Sequence, residues 1–349
     1  MNRLLRVLAR VPWYPSIARP LLFRLRPETA QHIAETALRV RPLWRLHAAA
    51  TGSATPHLRR TVAGIDLANP VGLAAGFDKD CAYLAGLADM GFGYLVGGTV
   101  TRTPRPGNAQ PRLLRVPDHH ALINAMGFPS KGVDVAVARL RAYADGGGGD
   151  GAVPVFVSIA ALGEDETMQC LISVEPFAAA VELNISSPNT RGVREYQDPE
   201  RLRRLLERLN EHRRKPLLIK LPAYRDEASR DAVLALVRTC QSAGAAGVTT
   251  SNTLPVNDAR LAVGSGGLSG QPLFTSMLEA VREIRRETGA SFVVNACGGI
   301  SSASDALKAL EAGADTVQLY TALVYHGPGL VNNITRELER RAMTTAEAS

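Results

Sequence analysis

The sequence predicts an α/β fold, namely a closed (β/α)8 TIM barrel with a helical extension at its N-terminus. The chain of 349 residues is 46% hydrophobic and 21% charged, so it can bury a large core and is not disordered as a whole. From residue 65 onward, eight short apolar runs alternate with helix-like stretches, as in a parallel sheet covered by helices. A doubly wound open sheet is the competing fold, and the number eight favours the barrel.

The first 60 residues differ in charge from the rest of the chain. They hold eleven Arg, no Lys and two acids, a net charge of +9, whereas the remainder holds 29 basic and 31 acidic residues, a net charge of −2. The arginines alternate with large apolar side chains, which predicts basic amphipathic helices suited to an anionic membrane surface and disfavours nucleic-acid binding. The alternative is a set of basic helices packed on the barrel with solvated arginines, and composition alone leaves the two open.

Proline and glycine mark the boundaries of the N-terminal elements. Pro27 and Glu28 predict a helix that runs to about Val40, and residues 51–56 have the composition of a linker. We therefore divide the chain into an extension, residues 1–60, and a barrel domain, residues 61–349.

The barrel elements follow from the alternation of apolar runs with helical stretches. The predicted strands are 69–75, 93–99, 154–160, 180–186, 216–221, 246–251, 291–296 and 315–320. The predicted helices between them are 82–90, 131–143, 198–213, 226–243, 274–288 and 302–312. The glycine-rich stretch 145–151 predicts a surface loop.

Cysteine and histidine spacing argues against a metal site. The four cysteines are scattered without a C-x-x-C pair, and the seven histidines form no H-x-x-x-H pair. No apolar run reaches the ~20 residues that a membrane-spanning helix needs.

Polar residues follow most of the predicted strands, where the working residues of a barrel lie. Lysines, asparagines and hydroxyls at one rim predict a site for a polar, anionic ligand. These strand ends are residues 74–79, 98–101, 184–190, 251–253, 296–300 and 320–321, with Lys220 at the end of the fifth strand.

Two glycine-rich segments predict a phosphate site. Gly298 and Gly299 precede serines that can cap the next helix, and the segment 266–270 is expected to form a second glycine-rich loop. Together they could hold a single phosphate such as that of FMN, or the glycines could simply make tight turns. The first strand is not followed by G-x-G-x-x-G, which disfavours a Rossmann dinucleotide site.

Seven ordered motifs resemble those of the dihydroorotate dehydrogenase family. They are PVGLAAGFDKD, GTVTRTPRPGNAQPRLLR, INAMGF, NISSPNT, SNT, GGLSGQPL and CGGI followed by QLYTAL. The resemblance extends from about residue 15 to about residue 340. It implies oxidation of (S)-dihydroorotate to orotate with FMN in de novo pyrimidine (UMP) biosynthesis. Ser187 stands where the class 2, quinone-dependent enzymes carry a serine base, and class 1 enzymes carry cysteine.

The class 2 resemblance also has implications for the N-terminus and the surroundings of the protein. It implies that the basic helices lie on the membrane and admit quinone, with Gln31, His32 and Arg115 at the quinone tunnel. It further implies a peripheral protein on the cytoplasmic side of the cell membrane, and class 2 relatives are commonly monomeric.

Carried over by position, the resemblance assigns roles to named residues. Ser187 is the catalytic base that removes the C5 proton. The implied substrate-binding residues are Lys79, Asn124, Ala125, Met126, Gly127, Phe128, Asn184, Asn189, Asn252 and Thr253. The implied FMN-binding residues are Ala75, Gly76, Phe77, Asp78, Lys79, Thr99, Ser158, Asn184, Lys220, Ser251, Gly270, Gly299, Tyr320 and Thr321.

Several positions depart from the family pattern. Ser158 replaces a flavin-contacting asparagine, and the residues after it, Ala160, Ala161 and Leu162, lack the usual lysine. Ala125 replaces an arginine, Gly97 replaces a glutamate in the second strand, and Gln31 stands where the tunnel usually has histidine. These departures leave two alternatives open, which are a divergent FMN-dependent paralogue using another dihydropyrimidine-like substrate or oxidant, and a non-catalytic flavin-binding membrane protein.

Overall fold

The computed structural model describes residues 13–52, 54–146, 152–187 and 191–347. Eight parallel strands close into a barrel in chain order, as the sequence predicts. They are β3 Val71–Asp78, β4 Tyr94–Val100, β7 Val155–Ala160, β8 Ala180–Asn184, β9 Leu217–Lys220, β10 Gly247–Thr250, β13 Val293–Cys297 and β14 Thr316–Leu319. Each lies within three residues of its predicted bounds, because a strand covered on both faces is a continuous apolar run.

Six further strands were not predicted. β1 Arg60–Val62 and β2 Ile65–Leu67 form an antiparallel hairpin. Val62 and Leu67 pack with Tyr94 and Phe156 at the start of the barrel strands, so the hairpin closes the N-terminal end of the barrel. The other four are β5 Leu113–Val116, β6 Ala121–Asn124, β11 Leu254–Asn257 and β12 Ser265–Gly270, which form one antiparallel sheet.

This four-stranded sheet lies at the C-terminal end of the barrel, because its strands come from the connections that follow β4 and β10. It corrects the expectation of a glycine-rich loop at 266–270. The segment is strand β12, paired on both sides, and its glycines allow close backbone packing. A Cβ on Gly266 would lie 2.8 Å from the carbonyl oxygen of Asn124.

All six predicted barrel helices are present; Phe274–Thr288 has the predicted bounds, and the other five have shifted ends. The barrel helices are Leu84–Ala88, Val133–Asp145, Glu164–Val174, Arg191–Arg194, Pro199–Asn210, Glu227–Ser242, Phe274–Thr288, Ala303–Glu311, Thr321–His326 and Leu330–Glu347. Those at 164–174, 191–194, 321–326 and 330–347 were not predicted. The predicted loop at 145–151 lies largely outside the described residues.

Three helices precede the barrel, Arg19–Phe23, Pro27–Leu38 and Arg41–Thr51, after a short π-helical turn at Tyr14–Ala18. Leu38 and Trp44 are buried in the main hydrophobic core, and the Trp44 indole donates to the carbonyl of Ala37 at 2.8 Å. The second half of the extension therefore packs on the barrel. The boundary at residue 60 stays a prediction.

The charged helices of the extension do not have the length of a membrane span. Across the described part of the chain, no helix is both long and apolar enough to cross a bilayer.

Candidate active site

A cavity of about 1250 Å³, including its open mouth, occupies the C-terminal end of the barrel. Its position follows from the parallel strands, whose carboxyl ends meet at one rim. The predicted site residues that line it are Ala75, Gly76, Lys79, Thr99, Asn124, Met126, Gly127, Phe128, Asn184, Ser187, Lys220, Ser251, Asn252, Thr253, Gly270, Gly299, Tyr320 and Thr321.

Four of the predicted substrate- and FMN-binding residues that the structure describes do not line this cavity. Ser158 is fully buried on β7, and its hydroxyl lies 3.0 Å from that of Thr99, so it supports a lining residue from behind. Ala125 is fully buried, and its carbonyl accepts from the side chain of Asn108 at 2.9 Å. Phe77 packs edge-on against Tyr320 with ring centroids 5.5 Å apart. The sequence places these side chains near the rim but does not show which way each one points.

Asp78 is the fourth, and it shapes the turn after β3. Its two carboxylate oxygens accept from the backbone amides of Ala82 at 2.6 Å and Tyr83 at 2.7 Å. Burial raises the pKa of Asp78 to about 6, although the two amides and Arg139 oppose that shift. Asp78 thus holds the segment that carries Lys79 rather than facing the cavity.

A chain of hydrogen bonds connects four polar residues at the floor of the cavity. The Asn184 amide donates to the Thr99 hydroxyl at 3.1 Å. Asn184 Oδ1 accepts from the hydroxyl of Ser186 at 2.9 Å, and that hydroxyl accepts from Asn252 Nδ2, also at 2.9 Å. These bonds set the orientation of both amides, so each presents a fixed donor or acceptor to a ligand.

Ser187 follows directly after this network. It is buried, and it lines the same cavity as Lys79 and Asn252. Asn189 and Thr190, three residues at most beyond it, lie outside the described residues.

The other end of the cavity is built from glycine and hydroxyl groups. Gly270 and Gly299 have φ of +99° and +73°, and a Cβ on Gly299 would lie 2.6 Å from the backbone nitrogen of Phe274. Thr321 and Ser269 face each other with hydroxyl oxygens 2.9 Å apart. Backbone amides exposed by such glycines, together with hydroxyls, are donors suited to a phosphate.

The predicted helix cap beyond this end is confirmed. The Ser302 hydroxyl accepts from the backbone amide of Asp305 at 3.1 Å, which starts the helix Ala303–Glu311.

Lys220 supplies a buried positive charge between the two ends of the cavity. It ends β9 and is almost fully buried. Burial by itself lowers its pKa, but the charges of Cys297, Glu182 and Tyr320 more than offset that effect, so the pKa of Lys220 is raised. The site therefore holds a permanent cation where a ligand can develop negative charge.

Sequence reasoning missed several lining residues. Cys297 lies within the predicted strand end 296–300 but was given no role, and Gln318 and Ser301 adjoin predicted positions, so a wider window would have found them. His120, Tyr325 and His326 carry no motif. His120 stacks on Tyr325 with ring centroids 4.9 Å apart, and only the fold brings these elements together.

The three predicted tunnel residues do not share a cavity wall. Gln31 and His32 line a second, charged cleft between the helix Pro27–Leu38 and the barrel, which shares Lys79 with the main cavity. Arg115 is not among the lining residues of either cavity; its guanidinium donates to the carbonyl of Leu25 at 2.9 Å and lies over the Phe23 ring.

Comparison with known proteins gives consistent matches. A family model described as dihydroorotate dehydrogenase matches residues 57–342. The protein "Dihydroorotate dehydrogenase (quinone)" of Chloroflexus aurantiacus is 39% identical, and the match covers 92% of this chain and 94% of the relative. The protein of the same name from Methylococcus capsulatus is also 39% identical, over 93% and 98% of the two chains.

Solved structures agree with the sequence matches. The structure of DHODH from Eimeria tenella in complex with ferulenol superposes with a TM-score of 0.80 at 27% identity, covering 92% of this chain and 93% of that one. The ligand-free form of the same enzyme gives a TM-score of 0.77 at 28% identity, covering 87% and 94%.

Proposed function

The chain belongs to the dihydroorotate dehydrogenase family, in its quinone-dependent class, and on this premise we propose that Ser187 is the base of the reaction in the cavity described above. The protein is an FMN-dependent oxidoreductase that oxidises dihydroorotate to orotate in pyrimidine biosynthesis and passes the electrons to quinone. The observation that carries the proposal is that Ser187 lines one cavity with Lys79 and Lys220.

The residues present fit FMN. The glycine and hydroxyl end, with Gly270, Gly299 and Thr321, suits the phosphate, and a Cβ on either glycine would fill that space or displace its neighbours. The small residues Ala75 and Gly76 leave room for a flat ring over β3. Lys220 would then stand at the ring edge where reduction places negative charge.

The asparagine-rich end suits the substrate. Dihydroorotate carries a ring with alternating N–H and C=O groups and a carboxylate. The amides of Asn124, Asn184 and Asn252 can each pair with one donor and one acceptor of such a ring. Lys79, which lines the same cavity, offers a cation for the carboxylate.

Bound FMN supplies a hydride acceptor at its N5 atom. Ser187 takes the C5 proton as the C6 hydride leaves, so the two hydrogens depart from neighbouring carbons. A serine hydroxyl is a weak base at its ordinary pKa, so its proton must move onward to a second acceptor. By the family resemblance we assign Phe128 and Thr190 to the border of that path, and Phe128 lines the cavity. The hydrogen bonds of Ser186 hold the side chains of Asn184 and Asn252 in place during the proton transfer.

We also propose that the extension binds the membrane surface. Of the eleven large apolar side chains that are exposed in the described chain, eight lie between Trp13 and Leu46. Six arginines accompany them in the same segment. Exposed apolar side chains with basic neighbours are the composition that binds anionic lipid. We assign the quinone route to Gln31, His32 and Arg115. We further propose that the protein lies on the cytoplasmic side of the membrane and is a monomer.

Ser187→Ala tests the central assignment. The variant keeps the flavin site intact, so it should retain FMN and lose about 10²–10⁴ in the rate of flavin reduction, as expected for a lost general base. The measurement is anaerobic rapid mixing with dihydroorotate, followed in the flavin absorbance band.

Ser186→Ala is the matched control, since Ser186 holds Asn184 and Asn252 but is not proposed to move a proton. It should raise the dihydroorotate concentration needed for half-maximal reduction more than it lowers the limiting rate. Reduction of Ser187→Ala at the wild-type rate would assign the proton transfer to another group.

A further inference from the structure

Glu182 is a buried carboxylate that the proposed reaction does not use. It lies on β8, two residues before Asn184, and is almost fully buried inside the barrel. Its Oε2 accepts from the Thr249 hydroxyl at 2.7 Å. Its Oε1 makes no hydrogen bond within the described residues. A buried acid in this setting costs stability unless a nearby charge compensates it.

The carboxylate ends a chain of hydrogen bonds that crosses the barrel interior. The Tyr94 hydroxyl lies 2.7 Å from that of Thr316, which donates to Asn295 Oδ1 at 2.7 Å. Asn295 Nδ2 then lies 3.4 Å from the Thr249 hydroxyl, which donates to Glu182. Because Thr316 already uses its proton on Asn295, Tyr94 must donate to Thr316.

Every group in this series of hydrogen bonds therefore donates in the direction of Glu182. Four different strands carry Tyr94, Thr316, Asn295 and Thr249, and only the last of these, Thr249, donates to Glu182 itself. Such an ordered series of donors polarises along its length toward the carboxylate. The series thus ends on an acidic side chain inside the barrel, beneath the cavity.

Lys220 is the cation on β9, the strand that pairs with the strand of Glu182. Asn184 and Lys220 are register partners on β8 and β9, so Glu182 lies two residues below the level of Lys220. The titratable groups that act on Lys220 are Cys297, Glu182 and Tyr320. Burial raises the pKa of Cys297, which favours its neutral thiol, and Glu182 is the one carboxylic acid among these three groups.

We propose that Glu182 is a positioning residue that offsets part of the positive charge of Lys220 and thereby holds the reduction potential of bound FMN lower than Lys220 alone would set it. This inference rests on the proposed function, because it needs Lys220 to face the flavin. A less positive surrounding disfavours the added negative charge of the reduced ring. The reduced flavin is then a stronger donor to quinone.

Glu182→Gln removes the charge at constant size and can still accept from Thr249. It should shift the equilibrium between oxidised and reduced flavin toward the reduced form at least about tenfold, or about +30 mV for a two-electron couple. Reduced FMN should bind the variant tighter by the same factor, while the affinity for oxidised FMN changes little. The measurement is the midpoint potential of the holoprotein against reference dyes, with FMN titrations in both redox states.

Two further variants keep the result decisive. Glu182→Asp retains the charge. The equilibrium constant between its oxidised and reduced flavin should stay within about threefold of the wild-type value. Glu182→Met replaces the acid by an apolar side chain of similar volume, which buried sites often tolerate, and should shift the potential upward as Gln does. If Gln and Met both leave the wild-type potential unchanged, Glu182 does not act on Lys220 and the inference is wrong.

The failure of the proposed function has a different signature. Wild-type protein that binds no FMN, or that holds FMN but is not bleached by dihydroorotate, would overturn the proposed function before any variant is compared. Bleaching of the wild type together with unshifted Gln and Met variants would overturn the inference alone.

Discussion

Gly299→Ala tests whether the turn after β13 holds the FMN phosphate. Gly299 has φ of +73°, and a Cβ there would lie 2.6 Å from Phe274 N and 2.7 Å from Phe274 Cβ. The left-handed conformation costs a non-glycine residue about 1–2 kcal/mol. The backbone contact cannot be relieved by rotating a side chain, so overpacking adds about 1–3 kcal/mol.

The same change should weaken FMN binding. Displacing the turn removes at least one backbone hydrogen bond to a charged phosphate, which is about 1.5–3 kcal/mol, or roughly ten- to a hundredfold in Kd. Gly289→Ala is the matched control, because Gly289 has φ of +72° with nothing within 4 Å of its Cβ position. It should lose only the conformational term in stability and keep the wild-type Kd.

The assays are denaturant unfolding of the apoproteins and titration of FMN fluorescence. Equal losses of stability in the two variants would show that Phe274 yields without cost. Wild-type FMN affinity in Gly299→Ala would refute the phosphate assignment, whatever its effect on stability.

Two other features are open to direct measurement. The pKa of Asp78 is raised to about 6 in the folded state, so the protonated form of Asp78 favours folding. Its contribution to the free energy of unfolding is at most about 3 kcal/mol. This contribution is complete below about pH 4 and is lost as the pH rises to about 6. Relative to Asp78→Asn, the wild type should therefore lose unfolding free energy over that pH range, and a constant difference between the two would contradict the raised pKa. On the extension, Leu43→Gln with Leu46→Gln, at side chains 50% and 53% exposed, should weaken sedimentation with anionic vesicles, whereas Ile172→Gln on the barrel, also 53% exposed, should not. Equal binding by both would remove the extension from the membrane surface.

The barrel could be predicted from the sequence because its strands are buried on both faces. Runs such as residues 154–160 and 216–221 are apolar except for one polar residue each, Ser158 and Lys220, and the number of runs together with the chain length favoured a closed sheet. The sheet at the rim had no such signal. β5 is half-buried and four residues long, and β12 is half glycine, so its composition indicated a loop.

The helices show the same dependence on pattern. The helix Pro199–Asn210 was predicted because leucines recur on one face, four of which are buried. The helix Glu164–Val174 was missed, although acids fill its first turn and five of its eleven residues are apolar. Propensity and capping alone did not reveal it.

The site was largely predictable because one rule located it. Residues at the ends of parallel strands meet at one rim, whichever side chains they carry, and the family motifs fall on those ends. The rule does not say in which direction an individual side chain points. Ser158 precedes the end of β7 by two residues and points to Thr99, and Asp78 turns back onto the backbone of Tyr83. The local sequence does not predict either side-chain orientation.

The measurement that tests the account most directly is anaerobic mixing of the wild-type holoprotein with one equivalent of dihydroorotate per flavin. The yellow absorbance band should bleach and orotate should appear in an amount equal to the flavin, and a quinone should then restore the colour. A protein that holds FMN but keeps its colour in the presence of excess dihydroorotate would contradict it.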